Sequence, residues 1–312
     1  MRQAKGRKVI ITCAVTGGIH TPTLSDALPY KPHDIAKQAI DAADAGAAVL
    51  HLHARNPEDG SPTGDPNVFQ QFLPEIKERT TAVINLTTGG SPQMAAEDRL
   101  AAALRFQPEM CSLNMGSINF SMHPVVSKVS NWKFPWEKEY LQASEAFIFR
   151  NTFKDIARIY HLMSDFGTRF EHECYDIGHL YNLAHFLDKG LAKPPLFIQS
   201  VFGILGGIGP DSENVVFMKQ TADRLFGDDY IWSVLAAGRH QMPIATQAAL
   251  MGGNVRVGLE DSLYLDRGRL AQSNAEQVLK IKHLLAEFSM EPATPAEARE
   301  LLQLKGADQV KF

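Results

Sequence analysis

Ala48-Val49-Leu50-His51-Leu52-His53 is an apolar run that ends on two histidines one residue apart. In an extended chain successive side chains alternate faces, so both imidazoles point the same way. The run is short. It follows Gly46 and precedes a loop over 56–66 rich in Pro, Asp and Gly, so it reads as a buried strand. A helix is predicted before it over 33–45, with Ile35, Ala39 and Ala42 at helical spacing and Gly46 as the C-terminal cap. Another is predicted after it over about 67–79.

Working outward, the same alternation continues in both directions. Strands are predicted over 9–15, 82–87, 110–115, 169–176, 196–202, 231–237 and 255–260. Helices are predicted from Ser91-Pro92 to Phe106 and over 178–189, 241–251 and 274–288. About eight β-then-α units of this kind define an α/β chain of the (β/α)8 TIM-barrel class. Most of the strands are near-continuous apolar runs, as parallel strands covered on both faces should be. The whole of 1–312 is expected to form a single barrel domain. The stretch 117–154, with Trp132, Phe134, Trp136 and Tyr140, is too long for an ordinary βα connection and reads as an insertion after the fourth strand. An open doubly wound sheet is the alternative. It is disfavoured because no early strand leads into Gly-x-Gly-x-x-Gly opening a helix.

The bulk properties exclude some functions. The chain has 312 residues, 45% of them hydrophobic, with 31 Lys and Arg against 35 Asp and Glu. That near balance, with a pI near 6.3, gives no electrostatic reason to expect a nucleic acid or an anionic membrane as partner. Cys13, Cys111 and Cys174 are too few for a disulfide framework and all fall in predicted strands, which suits a reducing, cytoplasmic setting. Arg2, Lys5, Arg7 and Lys8 before the run 9–15 loosely imitate a signal peptide. The run is short and ends in Thr16-Gly17-Gly18, so a first buried strand is expected instead. No apolar stretch approaches the ~18 residues of a membrane span.

In a barrel the active site sits at the C-terminal ends of the strands. His51 and His53 lie there, and neutral imidazoles are favoured zinc ligands. Two histidines satisfied by hydrogen bonds in a polar interior is the competing interpretation. Glu260 is the candidate third ligand, on a strand face shared with Arg256 and Gly258, where the glycine leaves room for a ligand. Asp261 follows, placed to act as a base or to orient Arg256. On the fifth strand Glu171, Glu173 and Tyr175 alternate. Two buried carboxylates need a cation or a proton, and Glu173, nearer the strand end, is the better site candidate. Thr87-Thr88-Gly89-Gly90 offers hydroxyls and N–H groups at a helix start, a cradle for a carboxylate or phosphate, or only an N-cap. Ser112 and Asn114 end the fourth strand. The Gly203–Gly209 segment, with Gly206, Gly207 and Gly209, is a candidate flexible lid or a backbone cradle for a large anionic ligand. His20 lies near the first strand's mouth.

These motifs together resemble the β-keto acid cleavage enzymes. The likeness is carried by Thr12-Cys13-Ala14-Val15-Thr16-Gly17, His51-Leu52-His53-Ala54-Arg55, Thr87-Thr88-Gly89-Gly90, Pro108-Glu109-Met110, Gly116-Ser117-Ile118-Asn119-Phe120, Glu171-His172-Glu173 and 252–261, and it runs nearly end to end. The resemblance implies a zinc-dependent barrel, usually a homotetramer, that exchanges an acyl group between a β-keto acid and acetyl-CoA to give acetoacetate and a new CoA thioester. It implies His51, His53 and Glu260 as metal ligands, Asp261 as base with Arg256 beside it, and Glu173 as a buried catalytic glutamate. Thr87 and Ser112 keep the hydroxyls of the matching positions. Ile19, followed by His20, stands where members that take an ammonium-bearing substrate carry Glu, so a neutral or carboxylated substrate is expected. A metal-dependent aldolase or lyase that needs no CoA would use the same zinc and base, and a non-catalytic ligand-binding barrel is a third possibility.

Overall fold

A computed structural model describes residues 7–89, 94 and 96–312. Eight strands close a parallel barrel in sequence order: β1 (Ile11–Ala14), β2 (Val49–Leu52), β3 (Val83–Leu86), β4 (Met110–Asn114), β5 (Arg169–Cys174), β6 (Leu196–Phe202), β7 (Tyr230–Ala236) and β8 (Asn254–Val257). Closure is made by β8 on β1, where Arg256 pairs with Thr12 and Val257 with Cys13. The helices α1 (Pro32–Ala45), α2 (Leu73–Arg79), α3 (Ala96–Phe106), α4 (Phe153–Met163), α5 (Ile177–Asp188), α6 (Ser212–Phe226), α7 (Gln241–Leu250) and α8 (Asn274–Glu287) follow the strands in turn.

Alternation divides the strand side chains between two environments. Leu50, Leu52, Leu86, Cys111, Leu113, Ile198 and Val255 point outward into one core with helix residues such as Ile35, Ala39 and Ile76. Ile10, Val49, Val83, Met110 and Phe197 form a separate apolar plug that fills the barrel's N-terminal end. Above it the interior turns polar with Thr12, Asn85, Ser112, Glu171, Gln199 and Ser233, all buried. The barrel thus rests on an apolar floor and presents polar side chains only toward its C-terminal mouth. The three cysteines are free and buried.

Two expected elements differ. The helix expected over about 67–79 is two pieces, Pro66–Phe69 and α2. Pro74 in the first turn of α2 has no N–H to continue a helix through it. The strand expected over 255–260 stops at Val257, because Gly258 takes φ +148 and the chain turns, with Asp261 and Ser262 N–H donating to the Gly258 carbonyl. A Cβ at Gly258 would meet the Ala14 carbonyl oxygen at 2.0 Å. The glycine therefore serves the close approach of β8 to β1 rather than a ligand. Gly90 and the Ser91-Pro92 helix start lie outside the described residues.

Between β4 and α4 the chain makes a short antiparallel pair, Ile118–Asn119 with Ile148–Phe149, and a helix over Pro135–Ala143. This segment crosses the mouth to the loops after β1 and β2. Glu137, buried, accepts from Thr23 N–H at 2.9 Å and from its hydroxyl at 2.8 Å. Tyr140 donates to the Gly18 carbonyl at 2.9 Å and Trp136 to that of Asp59 at 3.0 Å. Among the described residues no helix is long and apolar enough to cross a membrane.

Candidate active site

The C-terminal mouth holds a cavity of about 360 Å3. On its floor, His51 from β2 and His53 just beyond it bring their Nε2 atoms to 3.2 Å of each other. Glu260 Oε1 lies 3.4 Å from both. The turn after β8 delivers Glu260, and Gly17 makes space for it, since a Cβ there would meet Glu260 Cγ at 2.4 Å. One donor atom from each of the three residues falls within 4.8 Å of the others.

Arg256 is the hub of the charges around them. Its Nε donates to Asp261 Oδ2 and its Nη2 to Asp261 Oδ1, each at 2.9 Å. Nη2 also reaches Glu260 Oε1 at 2.8 Å, and Nη1 reaches Glu173 Oε1 at 2.9 Å and Glu171 Oε1 at 3.5 Å. Glu171 accepts from Asn85 Nδ2 at 3.1 Å, and Glu173 from the Tyr175 hydroxyl at 3.3 Å. A single guanidinium does not balance four carboxylates. Burial pushes Glu171 up to about 7 against the pull of Arg256 and His51. Burial also raises Asp261 to about 6 despite its Arg256 partner, with Glu260 adding to the rise. Glu260 is different: His53, His51 and Arg256 outweigh its burial and hold it well below the usual carboxylate range. Burial lowers the His51 imidazole, but Glu260 and Glu171 more than offset it and the net shift is upward. His53, also lowered by burial, stays lowered.

This donor set suits a divalent cation. Two imidazole nitrogens face each other and a carboxylate oxygen across a common point, His51 Nδ1 and Glu260 Oε2 have no hydrogen-bond partner among the described residues, and the surrounding carboxylates outnumber the cations. Two histidines and a glutamate leaving an open side is a ligand set of catalytic zinc sites.

The other expected residues divide. Thr87, Gly89, Asn114, Ile19 and His20 line the cavity with Glu173, Arg256 and Asp261. Thr87 Oγ1 accepts from Gly89 N–H at 3.0 Å, and Asn114 Oδ1 has no hydrogen-bond partner among the described residues. Thr88 and Ser112 are not among the cavity-lining residues, and the Thr88 hydroxyl donates to the Ser112 carbonyl at 2.6 Å. His20 Nδ1 lies 3.0 Å from the Leu259 carbonyl, and burial takes the ring down to about 4, so it is neutral at pH 7. Gly206, Gly207 and Gly209 are not among the cavity-lining residues. Gly206 is pressed against the Asn119 carbonyl and Gly207 against that of Tyr175, while Ser121 N–H donates to Leu205 O and Ile208 N–H to Tyr175 O. Gly206 thus packs its loop against the β4–α4 segment and Gly207 against the chain just after β5, while Gly203 and Ile204 of the same run line the cavity.

Several residues around the cavity are given no site role by the sequence alone. Phe120, Phe149, Tyr175, Val201 and Leu235 form an apolar cluster, with Ile19 and Ile204 packed on it, that walls one side of the cavity. Arg55, fully buried, donates to Thr16 Oγ1, Thr16 O and His20 O at 2.8 Å each and so fixes the loop that carries Ile19 and His20. Its place beside the His-x-His motif was the only hint.

Fold and site define a (β/α)8 barrel enzyme with a three-donor metal-type centre at its strand ends. The chain belongs to the beta-keto acid cleavage enzyme family, whose model matches residues 8–304. It is 57% identical over 309 residues, 99% of this chain and 100% of the relative, to the 3,5-dioxohexanoate:acetyl-CoA acetone transferase of Paraburkholderia graminis. It is 33% identical to the 3-keto-5-aminohexanoate cleavage enzyme of Fusobacterium nucleatum subsp. nucleatum, covering 96% of this chain and 98% of that one. Among solved structures, the apo structure of ObcA superposes with a TM-score of 0.72 over 90% of this chain and 66% of that chain, at 20% identity, which is a likeness of fold.

Proposed function

We propose that this chain is a zinc-dependent acyltransferase that converts a β-keto acid and acetyl-CoA into acetoacetate and a new acyl-CoA. The observation that carries the reading is the Arg256 hub, which sets Asp261 beside the three donors His51, His53 and Glu260 at the floor of the cavity in the barrel mouth. When bound there, the metal supplies Lewis acidity toward the keto and carboxylate oxygens of the substrate. Thr87, Gly89 and Asn114 present polar groups on the wall where the substrate carboxylate is to be positioned. Asp261 takes the proton from the carbon between the two carbonyls. The carbanion attacks the thioester carbon, a C–C bond forms, and the C–S bond breaks to release the CoA thiolate. That thiolate adds to the substrate's original keto carbon. The bond from this carbon to its neighbour then breaks, giving the new thioester and the acetoacetate carbanion, which takes its proton back from Asp261. Arg256 stabilises anionic charge throughout, and Glu173 holds Arg256 in register.

The substrate's distal group is proposed to be neutral. Ile19 and the Phe120, Phe149, Val201 and Leu235 wall offer apolar surface and no carboxylate to an ammonium, which would lose its water on entering. The 57%-identical relative, named for 3,5-dioxohexanoate, supports a neutral oxo-substituted acid. The resemblance supports a homotetramer, and three free buried cysteines support a reducing, cytoplasmic location. We take the whole chain as one barrel unit.

The test is a panel of matched alkyl-, oxo-, carboxy- and amino-substituted β-keto acids with acetyl-CoA and zinc, assayed for acetoacetate. Highest kcat/KM is expected for a neutral substituent, with Ile19→Glu shifting activity toward the amino compound. A preference of the unaltered enzyme for the amino acid would overturn the neutral assignment. Turnover without acetyl-CoA would overturn the transferase.

A further inference from the structure

Beside the cavity over the metal donors lies an open groove of about 940 Å3. The two spaces share Gly238, Arg239 and His240, the turn that joins β7 to α7. At Gly238 the dividing wall carries no side chain, and a Cβ placed there would meet nothing within 4 Å. Beyond the turn, the groove passes Met242 and Pro243 and runs beside a small hairpin in which Tyr264–Asp266 pairs with Arg269–Leu270. Arg267 and Gly268 form the hairpin's tip.

The charge of this groove is one-sided. Asp266 is the acid among its described lining residues, and it is already held by Lys280 and by Arg269, the latter at 2.7 Å. Lys280 also donates to the Leu265 carbonyl at 2.6 Å, so the base of the hairpin is pinned to α8. Arg267 is exposed and has no acidic partner among the described residues. Arg239, also exposed, donates its Nε to His240 Nε2 at 3.1 Å rather than to a carboxylate. Between them Tyr264 keeps 48% of its surface open, an aromatic face on which a planar ring can stack. Guanidinium pairs suit phosphate oxygens because their donors form a rigid fork. The groove therefore matches a ligand with phosphate esters and a purine at one end and a thin, uncharged arm at the other.

The geometry points to this groove as the seat of the phosphorylated adenosine end of CoA, with Arg239 and Arg267 on its phosphates and the pantetheine arm crossing Gly238 to bring the thioester over Asp261. This assignment rests on the acetyl-CoA reading above. It is tested by titration calorimetry of CoA and of adenosine 3′,5′-bisphosphate against the unaltered enzyme and against Arg267→Ala, Arg239→Ala and the double variant. Charge-assisted contacts of this kind make the expected loss about tenfold in CoA affinity for each single variant and more for the double. The bisphosphate should compete with CoA, whereas inorganic phosphate at the same concentration should not. The preference in kcat/KM for acetyl-CoA over acetyl-pantetheine should shrink by the same factor, because the shorter thioester lacks the phosphates. Unchanged CoA affinity and unchanged preference in the double variant, with its thermal melt intact, would overturn the site while leaving the transferase reading standing. Failure of the unaltered enzyme to bind CoA or to use either thioester would overturn both.

Discussion

Arg256 and Asp261, five positions apart, meet through two parallel hydrogen bonds, Nε to Oδ2 and Nη2 to Oδ1, each 2.9 Å long. The pair closes the turn after β8 and is buried. The same guanidinium also engages Glu173 and Glu260. Removing it leaves several carboxylates without a cation in a region shielded from water. Arg256→Ala is therefore expected to destabilise the fold by about 3–5 kcal/mol and to abolish turnover. Arg256→Lys should recover part of the stability but little activity, because an ammonium cannot reproduce the fork. Urea unfolding and steady-state rates report the two effects, and a lysine variant with near-normal kcat would refute the role assigned to the fork.

Asp261→Asn is expected to fold, to keep its metal, and to lose turnover by about 10²–10⁴-fold, the usual contribution of a positioned base. Glu173→Gln, which changes only a support of Arg256, should lose less. Metal content and single-turnover rates of the two variants decide between them. If Glu173→Gln proves the more damaging while Asp261→Asn stays active, the base is Glu173.

Protein purified without added metal is expected to carry zinc, seen by elemental analysis. A chelator should silence the enzyme and zinc should restore it. His51→Ala and Glu260→Gln each remove one of the three donors, and an occupancy loss of about tenfold or more is expected under limiting zinc. Full activity in metal-free protein would refute the centre.

Stability should fall in mild acid through histidines remote from the metal donors. His172 is buried, with Nδ1 3.2 Å from the Phe197 carbonyl, and burial lowers it to about 4. His179, which accepts the Tyr175 N–H at 3.2 Å, is lowered to about 4 by the same cause. In the unfolded chain a histidine titrates near ~6.5. The unfolded state thus binds the proton more tightly, so the contribution of each ring is whole above about pH 6.5 and erodes as pH falls from there toward 4. For His172 the full loss is about 3 kcal/mol. Urea midpoints between pH 7.5 and 4.5 should decline, and His172→Gln, which keeps a donor but cannot titrate, should decline less. Identical slopes would exclude His172 as a source.

Much of this was legible because the sequence signals were local. His51 and His53 share a face by strand alternation alone, and the βα count announces the barrel. Glu260 and Asp261 were found by proximity to a strand end, yet the reason for their placement was hidden. Gly258 ends β8 by yielding to the Ala14 backbone, an approach between the first and last strands that exists only once the barrel closes. The Arg256 hub draws on β5 and β8 together, and no local pattern predicts which acids converge. The apolar wall was invisible for the same cause: Phe120 and Phe149 come from the β4–α4 segment, Tyr175 follows β5, and Val201 and Leu235 lie on β6 and β7. The role of the glycines at 206, 207 and 209 was not legible, because a glycine-rich run looks alike whether it faces a ligand or another backbone.

The segment between β4 and α4 is tied to the β1 loop through Glu137 and Thr23 and through Tyr140 and Gly18, and to the β2 loop through Trp136 and Asp59. It also supplies Phe120, Met122 and Phe149 to the cavity. Diversification of substrate range in such an enzyme is consequently a concerted problem. A mutant library that varies position 19 alone explores a loop whose neighbours still hold its old shape. One that recombines Ile19 with Phe120, Met122 and Phe149, or transplants 117–149 together with 16–26 as one cassette, moves the pocket and its supports as a unit and should yield new specificities at a far higher frequency.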